Sequence, residues 1–449
     1  MVEVDRSPPG GHPEDLSQRV TYTFLVGVYL ATNALKDTVT LVEGPDCVHM
    51  KTQYVQGNHD WLSTLTSVSG HHRIANTALH PVQMTRSRED ALRGTLARIA
   101  SHPTTGGVLL TSMPMAAITG ADYERICRDV QADTGRTVIH VPGRSLSGDW
   151  LDGYQETLVS LARQLDLSGS TPVPERVAVI GYLMDRHEGD HRANLREIRR
   201  LLTALGLDPV SIWLEGQRFQ DLTRVREAGT LLAFPYGRKA ARWIARRTGA
   251  RVIECDLPFG LPATERLVQV LGKELGREQE AQTLIQAELS RIIPSLEFVI
   301  PFVFQHRRVG YVGDPVLVRG LRETLDLLGA ELSFAVITHP RHHLAGLPEA
   351  LGPATERLEW PRFKEMIAFL RDRVASRGIH LLVAHSGAVG LVTGHGLASL
   401  EFGFPSFHTH CLADRPFLGF GGVLFFIDAM ANALRMAEVA QWTERLWGK

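Results

Sequence analysis

The sequence predicts an α/β protein with three tandem Rossmann-like domains, each a parallel sheet flanked by helices. Short apolar runs typical of buried strands alternate with amphipathic stretches of helical length from one end of the chain to the other. With 449 residues, the chain is also too long for a single hydrophobic core, which favours several domains of ordinary size.

Changes in composition suggest where the domains meet. The first domain, residues 1–170, contains the strand-like runs TVTLVEG, GGVLLTSM and TVIHVPG. The segment 167–176 is rich in Ser, Pro and Gly, which indicates a linker to a second domain at 171–295. The third domain, residues 296–449, contains the strand, turn, helix and strand unit RRVGYVGDPVLVRGLRETLDLLGAELSFAVI and is predicted to end in a helix.

The balance of charge limits the partners that the chain can bind. It contains 48 Lys and Arg against 49 Asp and Glu, for a formal net charge of −1. Nucleic-acid binding needs a clustered excess of Lys and Arg, so we expect no nucleic-acid partner.

No apolar run is long enough to span a membrane, and the N-terminal leader lacks the basic start of a signal peptide. We therefore predict a cytoplasmic protein without a membrane partner.

Motifs of several common enzyme classes are absent from the sequence. It has no GxxxxGK followed by Ser or Thr, so we expect that the chain does not hydrolyse ATP by itself. It also has neither a GxSxG elbow nor an HExxH helix.

In open parallel sheets, ligands bind outside the carboxyl ends of the strands. The candidate positions in such loops are Cys47, Met113, Gly143, Tyr236, Gly313, His385 and His408.

Four stretches, in order along the chain, resemble the component 1 superfamily of nitrogenase-like proteins. VEGPDCVHM is similar to the family's G-P/S-x-G-C turn, though one residue shorter. GVLLTSMPMAAITGADYERI and VIHVPGRSLSGDWLDGYQETL resemble the two strand-and-loop segments that follow. EFGFPSFHTHCLADRPFLGFGG matches the beta-type pattern G-F-P-x-F/Y-D-R-H-H-L-H-R-x-x-x-L-G-Y-x-G without a gap. The superfamily includes the nitrogenase subunits, the cofactor-assembly scaffold and the dark-operative chlorophyll-pathway reductases, and its members have three Rossmann-like domains.

The resemblance places Cys47 at a position that ligates an iron–sulfur cluster, so Cys47 is the candidate metal ligand. Gly44, Pro45 and Asp46 form the preceding turn and are the candidate cofactor-binding residues. Backbone N–H groups of such a turn can donate hydrogen bonds to cluster sulfurs and tune the reduction potential. The competing interpretation is that a lone cysteine is a small buried apolar residue.

The departures from the family pattern limit what the chain can hold. Met113 stands where the catalytic alpha-type chains have a third ligand cysteine, and Pro235, beside Tyr236, stands where nitrogenase's alpha chain anchors its iron–molybdenum cofactor. A cubane cluster needs about four protein ligands. Either a partner chain brings the other three, as the resemblance to beta-type chains implies, or two copies of this chain face each other and add ligands other than cysteine.

The resemblance implies a subunit of a nitrogenase-like reductase. Electrons would come from a separate ATP-hydrolysing iron protein and pass through an iron–sulfur cluster, 4Fe-4S or larger, shared with an alpha-type subunit. The assembly would be a heterotetramer or a homodimer, and it would reduce a small-molecule substrate in an interdomain cavity. One alternative is the beta-type subunit of a scaffold for assembly of a nitrogenase-type metallocofactor. Another is a tandem Rossmann-like binding protein without metal.

Histidines are the candidate proton donors for a reduction, because imidazole titrates near neutrality. His49 and His59 follow Cys47 closely in the sequence, and His410 lies in the last family-like segment. The carboxylates Asp149 and Asp152, in SGDWLDG, are equally suited to capping a helix.

Overall fold

The computed structural model describes residues 19, 22–46, 63, 65, 72–143, 148–182, 188–376, 378–392, 396–409 and 412–447. Three parallel sheets with flanking helices account for the strands named in this part of the chain, which confirms the predicted fold class. Of the predicted site residues, Cys47, His49, His59 and His410 lie outside the described residues.

The first sheet has the strand order β2-β1-β3-β4. Its strands are β1 Thr38–Glu43, β2 Ile74–Asn76, β3 Gly107–Ser112 and β4 Val138–His140. The associated helices are Phe24–Asn33, Glu89–Ala100, Tyr123–Thr134 and Trp150–Gln164. All six residues of β3 are buried, as expected for a parallel strand covered on both faces.

The second sheet has the order β6-β5-β7-β8. Its strands are β5 Val173–Ile180, β6 Asp208–Ile212, β7 Ala228–Ala233 and β8 Arg251–Glu254. The helices that follow in this part of the chain are Glu188–Ala204, Arg238–Thr248, Leu261–Leu275 and Glu278–Leu296. Arg238–Thr248 and Leu261–Leu275 each end at a glycine in the left-handed conformation, the usual helix stop.

The third sheet has five strands in the order β11-β10-β9-β12-β13. They are β9 Arg308–Gly313, β10 Glu331–Ile337, β11 Glu356–Glu359, β12 Leu381–Ala384 and β13 Ala398–Glu401. Its helices are Pro315–Leu327, Leu347–Leu351, Phe363–Ala375 and Ser386–Val392. The chain continues into the 29-residue helix Gly419–Trp447. Within the described part of the chain, no helix is both long and apolar enough to cross a membrane.

The sheets are joined by shared hydrophobic clusters rather than by loose linkers. One cluster combines residues of the first and second sheets, and another combines the second with the third. Asn194, on a helix of the second domain, accepts hydrogen bonds from Phe417 N (2.9 Å) and Leu418 N (3.1 Å) at the start of the last helix. The C-terminal helix therefore also anchors the third domain to the second. The exact boundaries at 170/171 and 295/296 remain a proposal.

Two glycines allow the helices Phe24–Asn33 and Trp150–Gln164 to touch through their backbones. A Cβ atom at Gly27 would lie 1.8 Å from Trp150 O, and one at Gly153 would lie 1.9 Å from Phe24 O. Neither position tolerates a side chain, because a neighbouring backbone atom occupies the space. This contact fixes the start of Trp150–Gln164, and the residues at that helix start belong to the site described below.

Candidate functional site

The predicted cofactor turn begins directly at the carboxyl end of β1. Gly44 N donates a hydrogen bond to Thr77 Oγ1 (3.1 Å), and Gly44 O accepts one from Leu79 N (3.0 Å). On the other side, Met113 N donates to Glu43 O (2.9 Å). The turn is therefore held between the loops that follow β2 and β3. Gly44 is buried, and exposure increases through Pro45 to Asp46.

Met113 packs directly on this turn. A Cβ atom at Gly44 would lie 2.7 Å from Met113 Sδ and 2.8 Å from its Cγ, so the methionine side chain fills the space that only a glycine leaves free. The loop after β4 also closes in, since a Cβ at Gly143 would lie 2.4 Å from Ser112 O. The structure thus brings two of the strand-end positions predicted from the sequence, Met113 and Gly143, close to the predicted cofactor-binding residue Gly44.

A buried carboxylate lies beneath the turn, and its partner is not apparent from the sequence. Glu43 is 1% exposed and accepts a hydrogen bond from the hydroxyl of Tyr123, on the helix Tyr123–Thr134. Burial raises the pKa of Glu43, although the Tyr123 hydrogen bond acts in the opposite direction. Burial and the same hydrogen bond raise the pKa of Tyr123. The pair fixes the end of β1, on which the turn is built.

The two cysteines within the described residues are core residues. Cys127 and Cys255 are both buried and form no disulfide. Burial raises the pKa of each thiol to about 12, so neither is a thiolate near neutral pH. Each side chain packs within a hydrophobic cluster, so we assign both thiols a structural role.

A second polar region lies where the strand ends of the three sheets approach one another. Tyr236 follows β7, is buried, and donates from its hydroxyl to Asp314, which follows β9. Asp314 also caps the helix Pro315–Leu327 by accepting from Val316 N (2.8 Å). Burial raises the pKa of Asp314. The residue after Pro235 is thus a phenol bonded to a carboxylate of the next domain.

Asp149 connects the first domain to the third through a buried hydrogen bond. It caps the helix Trp150–Gln164 by accepting from Leu151 N (3.0 Å), and its other oxygen accepts from His339 Nδ1 (2.5 Å). Asp149 is 1% exposed and His339 is 3% exposed. Burial opposes the charge on Asp149, but the hydrogen bonds from His339 and His343 outweigh it and lower the pKa of Asp149. We name Tyr236, Asp314, Asp149 and His339 the domain junction.

Three further side chains extend the domain junction to the surface. His342 Nε2 lies 2.9 Å and 3.0 Å from the two oxygens of Asp152, and His343 Nε2 lies 3.4 Å from Asp152 Oδ2. His343 Nε2 also lies 3.2 Å from Asp149 Oδ1. Burial disfavours the charged imidazole, but the hydrogen bonds to Asp149 and Asp152 raise the pKa of His343 to about 9. We name Asp152, His342 and His343 the surface triad.

A cavity of about 250 Å³ opens between the second and third domains. Its charged lining consists of Arg238, Asp256, Arg266, Arg319 and His343. Asp256 bonds Arg238 (3.1 Å) and Arg319 (3.2 Å), so part of the positive charge is balanced within the wall. Glu323 pairs with Arg266 (2.7 Å) and Arg319 (3.2 Å). His343 pairs with Asp149 and Asp152, so each cationic group of the wall has a carboxylate partner.

The last family-like segment is anchored by one buried carboxylate. Glu401, at the end of β13, accepts hydrogen bonds from Phe407 N (2.8 Å), His408 N (3.0 Å) and Thr409 N (2.5 Å). Burial disfavours the charged form of Glu401. These hydrogen bonds and the one from Ser386 outweigh the effect of burial and lower the pKa of Glu401 to about 2. The strand-end position His385 is buried, and burial lowers its pKa to about 4, so it is neutral at physiological pH.

Comparisons with known proteins place the chain in one family. The family model described as nitrogenase component 1 type oxidoreductase matches residues 24–435. Among curated proteins, the nitrogenase vanadium-iron protein beta chain of Trichormus variabilis is 24% identical and covers 94% of both chains. The light-independent protochlorophyllide reductase subunit N of Heliobacterium modesticaldum is 26% identical over 55% of this chain and 53% of its own length.

Solved structures give the same fold. A structure of nitrogenase Cp1 at pH 6.5 superposes with a TM-score of 0.79 at 15% identity, covering 95% of this chain and 94% of that chain. A second, of nitrogenase Cp1 at pH 5, gives a TM-score of 0.73 at 12% identity, covering 97% and 91%. The predicted resemblance is confirmed, and the chain belongs to the nitrogenase component 1 type oxidoreductase family.

Proposed function

We propose that the chain is the beta-type subunit of a nitrogenase-like reductase and supplies Cys47 as one ligand of an iron–sulfur cluster shared with an alpha-type partner. The observation that carries this proposal is the contact between Met113 and Gly44. Met113 stands where the family pattern has a third ligand cysteine. It lies directly against the turn that leads to Cys47, but its side chain is a thioether. A complete cysteine ligand set is therefore not built on this turn by one chain.

The residues around the turn fit a partial ligand set. A cubane cluster requires about four ligands, normally thiolates. Cys127 and Cys255 are protonated core residues, and Met113 offers only a neutral sulfur. We therefore assign three of the ligands to the partner. The resemblance to the beta chain of a vanadium-iron nitrogenase over 94% of the sequence supports the beta-type assignment.

The cluster, when bound, would carry electrons from a separate ATP-hydrolysing iron protein toward a small-molecule substrate. This chain's own residues position the turn: Glu43 and Tyr123 fix the end of β1, and the apolar Met113 covers the turn and excludes water. Gly44, Pro45 and Asp46 shape the backbone at which N–H donors would meet the cluster. We assign the proton donors to His49, His59 and His410, in a cytoplasmic heterotetramer.

The filled domain junction keeps an assembly scaffold as the second candidate function. Pro235 stands where the resemblance places the cofactor cysteine of a catalytic alpha chain, and the adjacent Tyr236 donates a hydrogen bond to Asp314. A beta-type chain that does not anchor this cofactor fits either a reductase or a scaffold. A reductase consumes substrate when supplied with the iron protein and ATP, whereas a scaffold binds a cofactor precursor and passes it on without turnover.

Iron and sulfide analysis of the anaerobically purified complex tests the proposal. We expect Cys47→Ala to lose most of its iron and sulfide, while the matched variant Cys127→Ala, which removes a buried thiol, retains the wild-type content. Unchanged iron in Cys47→Ala would show that this thiol is not a ligand. Substrate consumption with the iron protein and ATP then separates the reductase from the scaffold.

A further inference from the structure

The surface triad combines two imidazoles and a carboxylate whose donor atoms converge. Asp152 comes from the first turn of Trp150–Gln164, and the two histidines come from the short 3-10 helix Arg341–His343 of the third domain. One ligand atom from each residue lies within 4.8 Å of the others. We propose that the surface triad is a binding site for a divalent transition-metal ion of the zinc type, separate from the proposed cluster at Cys47.

The distances within the surface triad agree with those of a metal site. Zinc binds imidazole nitrogen and carboxylate oxygen at about 2.0–2.2 Å in a tetrahedron, which places neighbouring ligand atoms roughly 3.3 Å apart. The separation of His343 Nε2 from Asp152 Oδ2 is 3.4 Å, and His342 Nε2 lies 2.9 Å from Asp152 Oδ1. A metal ion bound between these atoms would take the place of the hydrogens in the present contacts to Asp152. This requires only small rotations of the half-exposed His342 ring.

Neighbouring residues hold the candidate ligands in place. Asp152 Oδ2 accepts a hydrogen bond from Asp149 N (3.0 Å), which fixes the carboxylate at the helix start. Asp149 is itself held by His339 (2.5 Å). Its Oδ1 lies 3.2 Å from the same Nε2 of His343 that would bind the ion, so metal binding replaces this hydrogen bond. Outer partners that hold a ligating carboxylate strengthen metal binding. The domain junction therefore acts as the support of the surface triad.

Exposure and ligand type indicate which ions the site would take. The His342 side chain is 51% exposed, whereas those of His343 and Asp152 are 10% and 19% exposed, so an ion reaches the triad from the His342 side. Two imidazoles and one carboxylate favour Zn²⁺ or Co²⁺ over Mg²⁺ and Ca²⁺, which prefer oxygen ligands. Three protein ligands leave a fourth position for water or an anion, and His343 also lines the cavity between the second and third domains.

Metal titration of the full chain, with any subunits that co-purify, tests the site. The Cys47→Ala protein is stripped with a chelator and titrated by calorimetry with Zn²⁺ and, separately, with Mg²⁺, so that cluster loss and thiolate binding do not contribute. We expect about one Zn²⁺ per chain at this site and no comparable Mg²⁺ binding. His342→Ala should weaken Zn²⁺ binding by about 100-fold or more, because it removes a direct ligand.

Two further variants make the result specific to the surface triad. Asp152→Asn keeps the shape of the side chain but lowers its affinity for metal, and it should weaken Zn²⁺ binding as His342→Ala does. His102→Ala removes a partly exposed histidine of the first domain and should leave Zn²⁺ binding unchanged. Equal Zn²⁺ affinity in His342→Ala, Asp152→Asn and the parent protein would overturn the proposal. This readout is Zn²⁺ affinity and does not involve iron, so its outcome does not depend on whether Cys47 binds a cluster.

Discussion

The cofactor turn and the domain junction are both built at strand ends, but they differ in the distance along the chain between their parts. The turn uses residues of one sheet, with Gly44 at the end of β1 and Met113 at the end of β3. In the junction, Asp149 and His339 lie 190 positions apart and belong to different domains. A motif encodes the turn locally, whereas the junction exists only after the domains have packed.

Loss of the junction carboxylate should have the largest effect on stability. Asp149→Ala leaves His339 and His343 without a buried acceptor and removes a helix cap, so we expect a loss of about 3–5 kcal/mol in the free energy of unfolding. Urea unfolding followed by tryptophan fluorescence measures this loss.

The matched control is Asp122→Ala, which removes the N-terminal cap of Tyr123–Thr134. Asp122 accepts from Arg125 N (3.0 Å) at an exposed helix start, so the expected loss is about 1 kcal/mol. If the two variants lost equal stability, the contact between the first and third domains would contribute nothing beyond helix capping.

Glu401 tests a carboxylate that anchors a loop within one domain. Because its pKa is lowered from 4.5 to about 2, the charged form stabilises the fold fully above pH 4.5, and this contribution is lost as the pH falls toward 2. Glu401→Gln should destabilise the protein by about 2 kcal/mol at pH 7. It should also flatten the decrease in unfolding midpoint between pH 4.5 and pH 2. An unchanged slope in this interval would contradict the assignment.

The smallest expected effect concerns the contact beneath the cofactor turn. Gly44→Ala forces the flexible Met113 side chain aside and should cost about 1–2 kcal/mol. In the double variant Gly44→Ala with Met113→Ala, the space is free, so the cost of the glycine substitution should fall to a few tenths of a kcal/mol. Additive costs in thermal unfolding would mean that the two side chains do not compete for the same space.

Sequence reasoning reached the fold because buried parallel strands and helices leave regular apolar patterns, as in TVTLVEG and GGVLLTSM. It also placed Gly44, Met113 and Gly143 at strand ends that the structure brings to one edge. It named Asp149 and Asp152 as possible helix caps, without the histidines that contact them. Their association depends on how the first and third domains pack, and no local pattern records that contact.

The partner of Glu43 was missed for the same reason. Tyr123 lies 80 positions away, and a tyrosine at the start of a helix is unremarkable in the sequence. The buried Glu43, at the end of an otherwise apolar strand, was the available signal, because a carboxylate there requires a hydrogen-bond partner. Cys47, His49, His59 and His410 lie outside the described residues, so their assigned roles rest on the family resemblance.

The central claim is that this chain supplies one cluster ligand and its partner supplies the rest. Iron content per chain, measured anaerobically on the chain purified alone and on the complex with the subunit that co-purifies, tests it most directly. We predict cluster iron in the complex and almost none in the isolated chain. A full cluster in the isolated chain would contradict the claim, because two copies of this chain would then hold the cluster between them.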